Sequence, residues 1–298
     1  MSKKQVIALV GFVLLLSAAS YAADAPPKTM TAAQFEASLK YKKGEVALPG
    51  GVATLKIPDS FRYLDPKDAE RVLVQAWGNP SGDGTLGMLF PAGASPVSDN
   101  GWGVVITYEE DGYVSDKDAD SINYDSLIKE MKEGTAESNK EREKQGYQTV
   151  DLVGWAAKPY YDKDAHKLYW AKELAFGGNA EHTLNYNIRV LGRRGVLVLN
   201  AVAGMDQLVS VEKDMRNVLA FTDFNPGHRY ADFDSKTDKT ATYGIAALVA
   251  GGLAAKAGLF TKLFAVLLAA KKLVIVGVVA IGAFIANLLK RKKTGVSS

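Results

Sequence analysis

The 298-residue chain has no cysteine. Disulfide staples, thiolate zinc sites and thiol nucleophiles are therefore excluded, and stability must come from an ordinary core. Histidine is scarce: there are three, and none shows the His-x-x-x-His spacing of a zinc helix. The chain has no Gly-x-Ser-x-Gly elbow and no phosphate-cradling Gly-x-x-x-x-Gly-Lys. No cofactor is expected from these motifs. Neither sign of charge dominates, since 36 Lys and Arg against 33 Asp and Glu leave +3, with much of the positive excess at the two ends. That balance gives no nucleic-acid footprint.

Apolar sequence is what the ends do contain. Lys3 and Lys4 precede an apolar run from Val6 to Leu16, and Ser20-Tyr21-Ala22 supplies small residues where a signal peptidase reads. Residues 1–22 are thus expected to be a secretory signal peptide, the other reading being an uncleaved anchor. At the far end, Tyr243 to Leu289 is almost wholly apolar and stops at Lys290-Arg291-Lys292-Lys293. Leu273 to Leu289 gives about 17 residues without a charge, enough to cross most of a hydrocarbon core of roughly 30 Å. The expected organisation is an exported domain at 23–240, an interfacial or membrane-embedded helical segment at 241–271, a transmembrane helix at 272–289 and a basic cytoplasmic tail at 290–298. Leu273, Val276, Val279, Ile281, Phe284 and Leu288 would face the lipid bilayer. Positive-inside reasoning favours this single crossing; a second crossing through 243–270 would put the basic tail outside. Small residues recur every four positions at Ala247, Gly251 and Ala255, and at Gly282 and Ala286. That spacing permits close helix approach and homo-oligomers, although apolar segments are rich in Gly and Ala anyway.

Between the ends, the pattern predicts an α+β domain. Glu45 to Ile57, broken by Pro49-Gly50-Gly51, predicts a hairpin. Asp65 as N-cap and Pro66 at the first position start a helix that stops near Trp77. Leu86–Phe90 and Gly103–Tyr108 form a candidate strand pair. A charge-rich helix spans Asn123 to Gln145, with Gly134 a potential break. Thr149–Ala157, Lys167–Phe176, His182–Leu191 and Val196–Val202 then predict four consecutive antiparallel strands. A helix from Asp206 to Leu219 would cover one face with Leu208, Val211, Met215, Val218 and Leu219. The expected fold is an antiparallel β-meander packed against helices.

Several runs carry a family resemblance: Gly154-Trp155-Ala156, Tyr169-Trp170-Ala171-Lys172-Glu173-Leu174, Leu184 through Arg193, Gly195 through Asn200, and Tyr243-Gly244-Ile245-Ala246-Ala247-Leu248. They resemble the bacterial membrane-anchored family called domain of unknown function 2167, over nearly the whole chain after the leader. The resemblance implies an exported, membrane-tethered bacterial protein, and with the signal and charge patterns the expected place is the bacterial inner (cytoplasmic) membrane, main domain periplasmic or extracytoplasmic. It implies no established activity and no catalytic residues. The order of hairpin, helix, meander and terminal helix is also similar to Mog1/PsbP-like layering, as a topological analogy.

Three groups invite chemistry. Asp116, Asp118 and Asp120 alternate as a calcium loop begins, but Ser121 and Leu127 stand where an EF-hand needs Gly and Glu. A looser metal site competes with a solvated acidic loop ahead of a helix. Asp162, Asp164 and His166 suit metal binding, acid–base work or a turn. Trp155, Tyr160, Tyr161 and Trp170 either present rings to a glycan, peptide or lipid headgroup, or fill the core. Two function classes follow. One is a non-enzymatic envelope module that binds, scaffolds or regulates an envelope protein or glycan. The other is a carboxylate-based envelope hydrolase.

Overall fold

The computed structural model describes residues 30–251 except 78, 80–83, 99 and 145–147. The expected signal peptide and the transmembrane helix, with Leu273, Val276, Val279, Ile281, Phe284 and Leu288, lie outside the described residues. In chain order the elements are α1 (Ala32–Ala37), β1 (Gly44–Ala47), β2 (Ala53–Ile57), β3 (Phe61–Leu64), α2 (Pro66–Arg71), β4 (Thr85–Pro91), β5 (Gly103–Glu109), β6 (Tyr113–Ser115) and α3 (Tyr124–Lys144). They continue with β7 (Val150–Asp162), β8 (Lys167–Phe176), β9 (Thr183–Leu191), β10 (Val196–Gly204), α4 (Leu208–Phe221), β11 (Thr222–Phe224), β12 (Thr240–Gly244) and α5 (Ile245–Ala250).

A seven-stranded sheet runs in the order β3-β4-β5-β10-β9-β8-β7, with every neighbouring pair antiparallel. The expected meander is β7 to β10, and the expected pair is β4 and β5. The hairpin β1–β2 forms as expected and recruits β11 into a separate three-stranded sheet. That small sheet and α4 seal one face of the large sheet. The contact is made by Leu55, Phe224, Val211, Met215 and Val218 against Ile188, Val190, Leu197 and Leu199. Each such side chain, fully buried, contributes about 1.5–3 kcal/mol.

Helices divide the other face. α1 and α2 cover the β3–β4 end through Phe35, Leu64, Ala69, Val72, Met88 and Phe90. Asp65 caps α2 by accepting from the Asp68 N–H, with Pro66 at its first position. The helix then widens into a π turn at Val72–Ala76. α3 lies on β7 and β8, where Ile128 and Met131 meet Leu152, Leu174 and Phe176. It runs through Gly134 without a break.

The domain boundary near 240 needs correction. Thr240–Gly244 is a strand paired in parallel with β6. The helix that follows buries Ile245, Leu248 and Val249 beside Val114, Leu168 and Trp170. Apolar composition read as the start of a membrane segment is here packed against other residues of the same domain. Gly251 ends α5 in the left-handed conformation, with φ 89°. Of the expected small-residue faces, Ala255, Gly282 and Ala286 lie outside the described residues.

Candidate functional site

The acidic loop after β6 and the tip of the β7–β8 hairpin meet. Asp116 Oδ2 accepts a hydrogen bond of 2.8 Å from the Tyr161 hydroxyl and lies 3.6 Å from His166 Nδ1. Tyr161 Oη is also 3.2 Å from His166 Nδ1. The Asp116 N–H donates to the Tyr230 hydroxyl at 3.2 Å, and that hydroxyl donates to the Val114 carbonyl at 3.0 Å. Tyr113 stacks on Tyr230 at 4.3 Å and on Phe233 at 3.9 Å, and the His166 ring lies 4.1 Å from Tyr230. Burial pushes the Tyr161 hydroxyl far above its usual range, and its bond to Asp116 adds to the shift. Burial does the same to Tyr230, aided by the neighbouring Tyr113 hydroxyl. Both phenols stay protonated, so they hold this corner together as neutral donors.

The other two aspartates serve different partners. Asp118 accepts from the backbone N–H groups of Ile245 and Ala246, at 3.0 and 3.1 Å. It thereby satisfies the open first turn of α5. Asp120 pairs with Lys163 on the hairpin tip. The metal expectation for Asp116, Asp118 and Asp120 is thus corrected. Asp116 and Asp120 turn to different residues of the β7–β8 hairpin, and Asp118 turns to α5. Among the described residues, no group of three or more His, Asp or Glu is placed to hold a metal ion.

Asp162 Oδ1 accepts from the N–H groups of Asp164 and Ala165, both at 3.0 Å. This is turn chemistry, and it commits the carboxylate to the backbone. His166 closes the turn at φ 52°. Of the four aromatic candidates, Trp170 is corrected to a core residue, 1% exposed, because strand alternation turns it under α5. Trp155 is half-buried, with its Nε1–H donating to the Tyr124 carbonyl at 3.2 Å. Tyr161 serves the corner described above. Tyr160 is 54% exposed, with its ring 5.1 Å from that of Tyr169. Arg193 and Arg194 are held by Asp238 at 2.6 and 3.1 Å. Tyr113 and Tyr230 had no signal in the sequence, since each lies in a short element without periodicity.

The fold defines an α+β protein built on an antiparallel meander and closed by its own C-terminal strand and helix. The chain belongs to the family described as "Protein of unknown function (DUF2167)", whose model matches residues 40–282. Among solved structures, it is similar to the Ran-binding protein Mog1p of Saccharomyces cerevisiae, at 12% identity and TM-score 0.36, covering 66% of this chain and 100% of that one. It is also similar to cyanobacterial PsbP (CyanoP) from Synechocystis sp. PCC 6803, at 11% identity and TM-score 0.34, covering 63% and 94%. No curated protein matches the chain. Among the described residues, no helix is long and apolar enough to cross a membrane.

Proposed function

We propose that this chain is a membrane-anchored protein of the bacterial inner membrane. Its domain faces the periplasm and works as a binding, scaffolding or regulatory module. The observation that carries this reading is the docked exit of the domain. β12 pairs with β6, and α5 is capped by Asp118 and packed into the core, directly upstream of the long apolar run. The described fold thus reaches residue 251, where the apolar run of the sequence continues. The family match supports treating both parts as one unit, since it passes from the domain into the apolar run as far as residue 282. A leader-like start and the Lys290–Lys293 cluster fit export of the domain and retention of the tail. For the partner, the exposed Tyr160 ring beside Tyr169 offers an amphipathic contact to an envelope protein or glycan.

Two measurements test this reading. Alkaline carbonate should leave the protein in the membrane pellet, and protease added to spheroplasts should degrade the domain. Release by alkali, or full protection from protease, overturns the anchoring and its sidedness. A photo-crosslinking residue at Tyr160 should capture a discrete adduct in cells, whereas the same residue at buried Tyr230 should not. Equal capture at both positions, or none at Tyr160, rejects this surface as the binding face.

A further inference from the structure

The tip of the β7–β8 hairpin faces two ways. Tyr160 and Tyr161 are neighbours on an extended strand, so their rings leave on opposite sides. The Tyr160 ring lies 5.1 Å from that of Tyr169, which packs on the core sealed by α4. Tyr161 packs in the other cluster, with Leu168, Tyr230 and the α5 residues Ile245, Leu248 and Val249. Pairing sets this arrangement, since Tyr160 lies opposite Tyr169 and Tyr161 opposite Leu168. Just before the tip the ladder slips: three steps from Ala157 to Tyr160 match two from Ala171 to Tyr169. A bulge there bends β7 and re-aims the side chains beyond it.

One short loop joins this tip to the last described helix. Asp116 accepts from the Tyr161 hydroxyl at 2.8 Å. Two residues on, Asp118 accepts from the Ile245 and Ala246 N–H groups at 3.0 and 3.1 Å. The loop closes on itself, with the Ala119 N–H donating to the Asp116 carbonyl at 3.1 Å and the Ser121 N–H to the Asp118 carbonyl at 3.0 Å. Its entry is held as well, because Tyr230 accepts from the Asp116 N–H and Ser115 lies opposite Gly244 in the β6–β12 pairing. A displacement of Asp116 in so tight a loop is carried to Asp118.

Packing gives a second route. Leu168, opposite Tyr161, is fully buried and lies in the same cluster as the inward face of α5. α5 has only six residues. A helix that short has no stability of its own in water, so its docking is set by the contacts that reach it. It is thus an element with two arrangements, docked and released, and both routes from the hairpin tip bear on the balance between them.

We propose that the β7–β8 tip and α5 form one coupled unit, through which contact at the exposed Tyr160 face alters how firmly α5 is docked. The contact at Tyr160 rests on the binding function proposed for that face, whereas the coupling stands on the hydrogen bonds and packing alone. Coupling is reciprocal, so releasing α5 loosens the tip by the same factor.

Hydrogen exchange on the full-length protein in detergent micelles tests the coupling. Tyr161→Phe removes the hydroxyl that donates to Asp116 and leaves the Asp118 bonds to α5 in place. Amides at 245–250 should lose protection about tenfold, while those of α2, at the far end of the sheet, keep theirs. Asp118→Ala, at the other end of the link, should lower protection across 161–168. Lys158→Ala is the control, since Lys158 lies on the same strand but pairs with Asp125, outside the loop. It should leave α5 unchanged. Unaltered protection at 245–250 in Tyr161→Phe, or an equal loss in Lys158→Ala or at α2, overturns the proposal. A missing crosslink at Tyr160 would instead remove the binding face and leave the coupling as measured.

Discussion

Asp118 accepts two N–H groups from a helix that begins 127 residues later. Caps of this kind are worth about 0.5–2 kcal/mol, so Asp118→Ala should lower the urea midpoint by an amount in that range, with Asp118→Asn losing less. Gly87 presents a harder constraint. Its φ is +128°, and an added Cβ would lie 2.4 Å from the Tyr63 ring. Gly87→Ala combines a forbidden backbone conformation with overpacking and should cost about 3 kcal/mol or more in the same measurement. Asp238 governs the acid side. The hydrogen bond from Arg193 lowers its pKa to about 2, with the Asp234 N–H and Arg194 adding to the effect. An unfolded aspartate titrates near ~3.9, so the carboxylate stabilises the fold fully above that pH. This contribution is lost as pH falls through about 2. Between pH 4 and 2, unfolding midpoints should therefore fall more steeply for the native chain than for Asp238→Asn. The alternating aspartates at 116, 118 and 120 were visible in sequence, but their destinations were not. Those depend on elements 40 to 130 residues away, which local spacing does not encode.

At the scale of elements, the meander was legible because four long runs are joined by short turns, two of them Gly-rich and one Asp-rich. α2, α3 and α4 were legible from capping and stripe patterns. The short pieces were not: β3 has four residues, β6 and β11 three each. Such lengths carry no period, and only their partners define them. β12 and α5 were misread for another reason. Tyr243 to Ala250 is as apolar as the run behind it, and hydropathy alone does not distinguish burial under protein from burial in lipid. Alternation along β9 was visible in its letters, but which face was sealed depended on α4 and the small sheet. Gly244 ties two of these elements together, since a Cβ there would lie 2.6 Å from Asp118 Oδ1. Gly244→Ala should undock α5, and hydrogen exchange should show lost protection at 245–250 while β9 and β10 stay protected.

For the whole molecule, the expectation is a domain and an apolar run that separate cleanly. Removing residues 272–289 should move the protein from the membrane to the soluble fraction with its near-ultraviolet circular dichroism intact. Cutting before Thr240 should abolish that signal and expose hydrophobic dye-binding surface, because Val114, Leu168 and Trp170 lose the helix that covers them. The parallel pairing of β6 with β12 also sets a timetable. Tyr113 meets Thr240, a partner made much later in synthesis. Synthesis delivers the chain from its N-terminal end. The globule therefore stays unfinished until Thr240–Ala250 has been made, long after the strand that it joins.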